Sequence, residues 1–176
     1  MSNEEALPPF CPMTNGECSL PETIIRQRLS LKPYAFAALP YQEKFDDTEQ
    51  VMQVALVGGN LFGNEFFPKN LDGRPVRMIE ARNEKFIGQG TCKICQLCWF
   101  SDFGIAELAT LNSNVLTEIG LLWGFGKKVI LTLHVGYTNI NEIPFDLKNF
   151  LLVTYQSMIK LGTDLEDKIN FVISTL

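Results

Sequence analysis

Residues 101–131, SDFGIAELATLNSNVLTEIGLLWGFGKKVIL, can be laid down in one sensible way: strand, polar loop, helix, turn, strand. Residues 103–108 form a short apolar run suited to a buried strand. Residues 110–114, TLNSN, turn the chain and offer several side-chain caps. From 115 to 125 the apolar residues fall at helical spacing, with Val115, Ile119, Leu122 and Phe125 on one face. Gly126 then suits the position just past a helix end, where a left-handed backbone is needed. Lys127-Lys128-Val129-Ile130-Leu131 opens the next strand. A strand–helix–strand unit of this length predicts a right-handed parallel crossover.

The rest of the chain can be fitted around that unit. Residues 32–39 read as the first core strand, stopped by Pro40, and a helix is expected from about Thr48 to Val57. Residues 58–73, with three glycine-bearing turns and Leu61, Phe62, Phe66 and Phe67 between them, read as an inserted hairpin covering the cleft or a subunit contact. Its Gly58-Gly59 pair is not a dinucleotide-binding fingerprint. Residues 74–81 read as the second strand and 91–100 as a helix, with Ile94, Leu97, Cys98 and Ser101 facing the sheet. Strands follow at 129–133 and 150–155, and a terminal helix at 161–176. The expectation is an α/β, three-layer, flavodoxin-like fold with a five-stranded, mostly parallel sheet of order 2-1-3-4-5. A cysteine-bearing N-terminal extension, residues 1–31, precedes the domain at 32–176.

In open α/β sheets the ligand crevice lies outside the carboxyl ends of the strands. Asn114 is expected to cap the helix there, with Glu118 within about one turn of its start. As residues alone, a cap and a dipole-favoured surface carboxylate are the better explanation of this pair. NSNVLTEIGLLWGFGKKVIL also resembles the signature of the nucleoside 2-deoxyribosyltransferase-like and TIR-like nucleotide-binding proteins, which carry an Asn-rich loop, Asn-Val, Glu-(Ile/Leu)-Gly and Gly-Lys-Lys-Val-Ile. The resemblance extends weakly from Lys32 to the C-terminus. It implies that Glu118 is a catalytic carboxylate of N-glycosidic-bond chemistry, with Asp102 as a second polar group. Ala38, Pro40 and Tyr41 match the strand end that lines the family's nucleotide pocket. Arg82, Asn112 and Asn114 fall at positions that contact ligand. Asn stands at 83 and 112 where the family tends to have Asp; the first removes a charge-dependent role at 83, and the second bears on base exchange more than on binding or hydrolysis.

Five cysteines remain to be placed. Cys92-x2-Cys95-x2-Cys98 with Cys11-x6-Cys18 supplies more than four thiols, and soft thiolates select iron–sulfur clusters or zinc. Cys92 and Cys95, expected on the outward side of their helix, would meet Cys11 and Cys18, with Cys98 a buried spare; the competing set uses all three helix cysteines and one from the loop, and reduced, unligated thiols are the alternative to a metal. No nicotinamide redox partner is required.

The net charge of −5 argues against a broad nucleic-acid surface. No apolar run is long enough for a membrane span, and the acidic N-terminus lacks a signal-peptide core. The expected protein is cytoplasmic, dimeric, and takes a nucleoside, nucleotide or NAD-like molecule. The enzyme reading competes with a non-catalytic nucleotide-binding or redox-sensing module.

Overall fold

The structure is a computed structural model, and it describes residues 7, 18, 20–81, 90–148 and 150–176. Five parallel strands form the central sheet: β1 (Tyr34–Ala38), β2 (Arg77–Glu80), β3 (Phe103–Glu107), β4 (Val129–His134) and β5 (Leu151–Tyr155). Their spatial order is β2-β1-β3-β4-β5, the expected 2-1-3-4-5. The helices are α1 (Glu22–Leu29), α2 (Asp46–Val57), α3 (Gly90–Phe100), α4 (Ser113–Gly124), α5 (Phe145–Lys148) and α6 (Met158–Ile173).

Side chains alternate across a strand, so the sheet sends two sets of residues into two cores. Ala35 and Ala37 of β1, Phe103 and Ile105 of β3, and Ile130 of β4 pack under α2 and α6. Phe36 and Ala38, Ala106, and Leu131 and Leu133 pack under α3 and α4. Every residue of β1 and β3 is buried, which is why these strands read as continuous runs rather than alternating ones. Gly104 faces α4, where an added Cβ would lie 2.4 Å from Leu122 Cδ1.

The structure departs from the expected elements in local and instructive ways. The insertion holds two small hairpins, Gly59–Leu61 with Asn64–Phe66, and Asn70–Leu71 with Arg74–Pro75. Arg74 and Pro75 therefore belong to the second hairpin and β2 begins at Arg77. The turn between the hairpin's strands is closed by positive φ at Asp72 and Gly73. Phe66 is buried against α6 at Gly162, so this aromatic covers a helix and not the cleft. The last helix starts three residues early because Ser157 Oγ accepts from Lys160 N as its cap.

Helix α3 is buried on more of its circumference than its stripe predicts. Cys95, Leu97, Cys98 and Phe100 are all buried, and Cys92 and Ile94 half-buried. The cause is α1, which packs its Ile25 and Leu29 on the same core and sends Arg28 Nε to Gln96 Oε1 at 3.2 Å. Cys95, expected on the outward side of its helix, is buried. Among the described residues, no helix is long and apolar enough to cross a membrane.

Candidate active site

In a sheet of this order the crossovers from β1 and from β3 leave on opposite faces, and a crevice opens between their carboxyl ends. The chain leaving β1 supplies Ala38 and Pro40, both buried, and Tyr41, 49% exposed. The chain leaving β3 supplies the loop 108–112 and then α4. These two connections are the ones the sequence singled out, and the topology places them side by side.

The loop after β3 is held in an unusual shape. Thr110 and Leu111 both have positive φ, 65° and 46°, a region that costs a non-glycine residue roughly 1–2 kcal/mol. The double turn delivers Asn112 in extended conformation at the N-cap of α4, where its Oδ1 accepts from Asn114 N at 2.9 Å and Val115 N at 3.4 Å. Asn112 is thus the cap that was expected of Asn114. Asn114 sits in the first turn and is exposed.

Moving the cap back two residues puts Glu118 on the second turn, six residues or about 9 Å along the axis from Asn112. At that distance the helix dipole no longer helps a negative charge. Glu118 is only 4% exposed. Among the described residues its carboxylate has no hydrogen bond or ion pair. Burial raises its pKa from 4.5 to about 7.

A second carboxylate lies within electrostatic reach, and sequence reasoning missed it. Glu80 ends β2, 3% exposed, in register with Ala37 of β1. Its pKa is also raised to about 7, by burial first, then by Glu118 and by Asp46 at the start of α2. Nothing local in Arg-Met-Ile-Glu marks it; only the pairing of β2 beside β1 brings it to the crevice. On the α4 side, the buried Cys98 thiol is pushed up by burial and then by Glu118.

A third buried carboxylate, Glu107 at the end of β3, is fully enclosed. Its Oε1 accepts from Ala109 N at 2.9 Å and His134 N at 3.3 Å. Its Oε2 accepts from Thr132 Oγ1 at 2.7 Å and Tyr155 OH at 2.8 Å. Tyr155 OH also meets Thr48 Oγ1 of α2 at 3.2 Å. His134, the single histidine, stacks on Tyr137 and accepts from Gly136 N at Nδ1, 3.1 Å away. A cavity of about 430 Å³ lined by residues including Tyr137, Thr138 and Gln156 opens at this same end of the sheet; Glu118 does not line it.

Asp102 does not join the group. It precedes β3, where its Oδ2 accepts from Tyr34 N at 2.8 Å and its Oδ1 lies 3.2 Å from Lys32 Nζ. It therefore anchors the amino edge of the sheet, a strand length of about 16 Å from the carboxyl edge. Arg82, Asn83 and Cys11 lie outside the described residues.

Of the four cysteines expected to hold a metal, Cys18, Cys92 and Cys95 are among the described residues. Among the described residues, no three His, Cys, Asp or Glu side chains converge as a ligand set. Cys98 packs in the core, Cys95 is buried, and Cys92 Sγ accepts from Gln96 Nε2 at 3.2 Å. Cys18, Cys92, Cys95 and Cys98 are not in disulfides.

No family model matches the chain, and no curated protein matches it. Among solved structures, the chain is similar to the CMP N-glycosidase BcmB of Clostridium botulinum, with 13% identity and a TM-score of 0.47 over 78% of this chain and 98% of that one.

Proposed function

We propose that the protein cleaves or transfers the N-glycosidic bond of a nucleoside or nucleotide, with Glu118 as the reacting carboxylate. The observation that carries this reading is a 4%-exposed carboxylate, unpartnered among the described residues, beside the switch point of a parallel sheet. Leaving such a group buried costs stability, and active sites are where such costs are retained. The NSNVLTEIG signature supports the same role.

The ionised Glu118 attacks the anomeric carbon. A carbon–oxygen bond to Glu118 forms as the carbon–nitrogen bond breaks, and its electron pair leaves with the base, which takes up a proton. Water or a second base then attacks the same carbon and frees Glu118. Near neutral pH about half of Glu118 is ionised, which suits a group that must alternate between attacking and leaving. Glu80 keeps the neighbourhood negative as positive charge builds on the sugar, or holds a proton for the departing base. Asn112 has its Oδ1 committed to the cap, leaving Nδ2 to donate to a sugar hydroxyl or phosphate.

The test is chromatographic detection of free base from nucleosides, nucleoside monophosphates and NAD, with wild type, Glu118→Gln and Glu118→Ala. Release by wild type and its loss in both variants, with ligand binding kept by Glu118→Gln, supports the proposal. Binding of a nucleotide by wild type with no base released replaces it with a non-catalytic binding module.

A further inference from the structure

We infer that Glu107 is a positioning residue: with Thr138 it clamps the left-handed loop after β3, and through that loop sets where Glu118 sits. The inference rests on the reading of Glu118 above for its functional meaning, but the clamp itself is geometric.

Two consecutive non-glycine residues do not hold positive φ unaided. Here the start of the double turn is tied twice. Ala109 N, just before it, donates to Glu107 Oε1, and Thr110 N, inside it, donates to Thr138 Oγ1 at 2.9 Å. Thr138 is buried and comes from the loop after β4. His134 N shares Glu107 Oε1, so one carboxylate oxygen fastens the ends of β3 and β4 together. The other oxygen is held by Thr132 and Tyr155, which ties β5 and, through Thr48, α2 to the same point. The loop leads directly into the Asn112 cap, and the cap fixes the rotation of α4 that turns Glu118 inward.

The carboxylate acts here as an acceptor, not as a charge. A glutamine keeps an oxygen toward the two backbone N–H groups. Its amide then donates toward Thr132 and Tyr155, whose hydroxyls can turn to Ala106 O and to Thr48. Glu107→Gln is therefore the rescuing variant, and Thr138→Val and Glu107→Leu are the disrupting ones. Thr138→Val is included because it removes one acceptor with almost no change of shape, should Glu107→Leu fail to fold.

The readouts need no turnover. Amide exchange of Ala109 and Thr110 reports the clamp, and the carboxyl carbon of Glu118, followed by NMR across pH, reports its environment, with Glu80 and Cys98 as its titrating neighbours. Thr138→Val is expected to speed exchange at Thr110 by about tenfold and to lower the Glu118 midpoint as the side chain gains water; Glu107→Leu does the same at Ala109. Glu107→Gln is expected to match wild type in both. A Glu118 midpoint unmoved by Thr138→Val overturns the inference, as does a Glu107→Gln protein that behaves like Glu107→Leu. If instead wild type releases no base from any nucleotide while these shifts appear, the clamp stands and the glycosidic reading falls.

Discussion

Replacing Glu118 by Gln should make the protein more stable, and only at high pH. The folded-state pKa of Glu118 is about 7, against 4.5 for the group in water. An acid whose pKa is raised by folding favours the native state when protonated. Its stabilisation is complete below the unfolded value and is lost as pH rises through the folded value. Between about pH 5 and pH 8.5 the wild type therefore loses about 2.5 kcal/mol through this one group, taking about 1.4 kcal/mol per pKa unit. Glutamine carries no charge to desolvate and escapes that loss. Its advantage over wild type should grow by about 2.5 kcal/mol over the interval, a shift in melting temperature of about 5–10 °C for a chain of this size. Removing the Glu118 charge also lets Glu80 ionise more readily, which adds to the difference in the same direction. The assay is urea unfolding of both proteins at the two pH values. A stability difference that is the same at both would refute the reasoning, because it would mean that Glu118 is hydrated in the native state.

Other substitutions probe the scaffold that presents this group. Asn112→Ala removes the acceptor for Asn114 N and Val115 N and should cost about 1 kcal/mol of stability in denaturant unfolding. Gly104→Ala sets a methyl against Leu122 in the core between β3 and α4, and a loss of about 1–3 kcal/mol is expected by the same measurement. Native-state thiol labelling followed by peptide mass spectrometry should find Cys92 modified well before Cys98, since the Cys98 thiol is buried and resists ionisation. Equal labelling of both would place α3 wrongly against the sheet.

The strand–loop–helix–strand unit at 101–131 was legible because its information is local. Period, polar loop and C-terminal glycine each lie within a few residues of the structure they specify. The strand order followed from alternation alone. What escaped is what depends on distant partners. Asn112 outranks Asn114 as a cap because Thr110 and Leu111 adopt left-handed backbone, which no propensity favours and which the acceptors on Glu107 and Thr138 sustain. Gln96 is buried because α1, over sixty residues earlier, packs on α3 and reaches it through Arg28. Asp102 reads like an active-site acid, yet its neighbours in space are Lys32 and the backbone of Tyr34. Glu80 and Glu107 were invisible for the opposite reason: each ends an apolar strand, where a single acidic residue looks like a solvated edge until the neighbouring strands are in place.

The ring of Phe66 occupies the dent that Gly162 leaves in α6, so closely that a Cβ at 162 would fall 2.7 Å from Phe66 Cζ. The inserted hairpin and the C-terminal helix are therefore matched parts, joined by a knob and its socket though nearly a hundred residues separate them. A shortened version without residues 59–66 would leave that socket empty, and a larger side chain at 162 is what it would need to close the gap. Any sequence of this lineage that has lost the one should have altered the other.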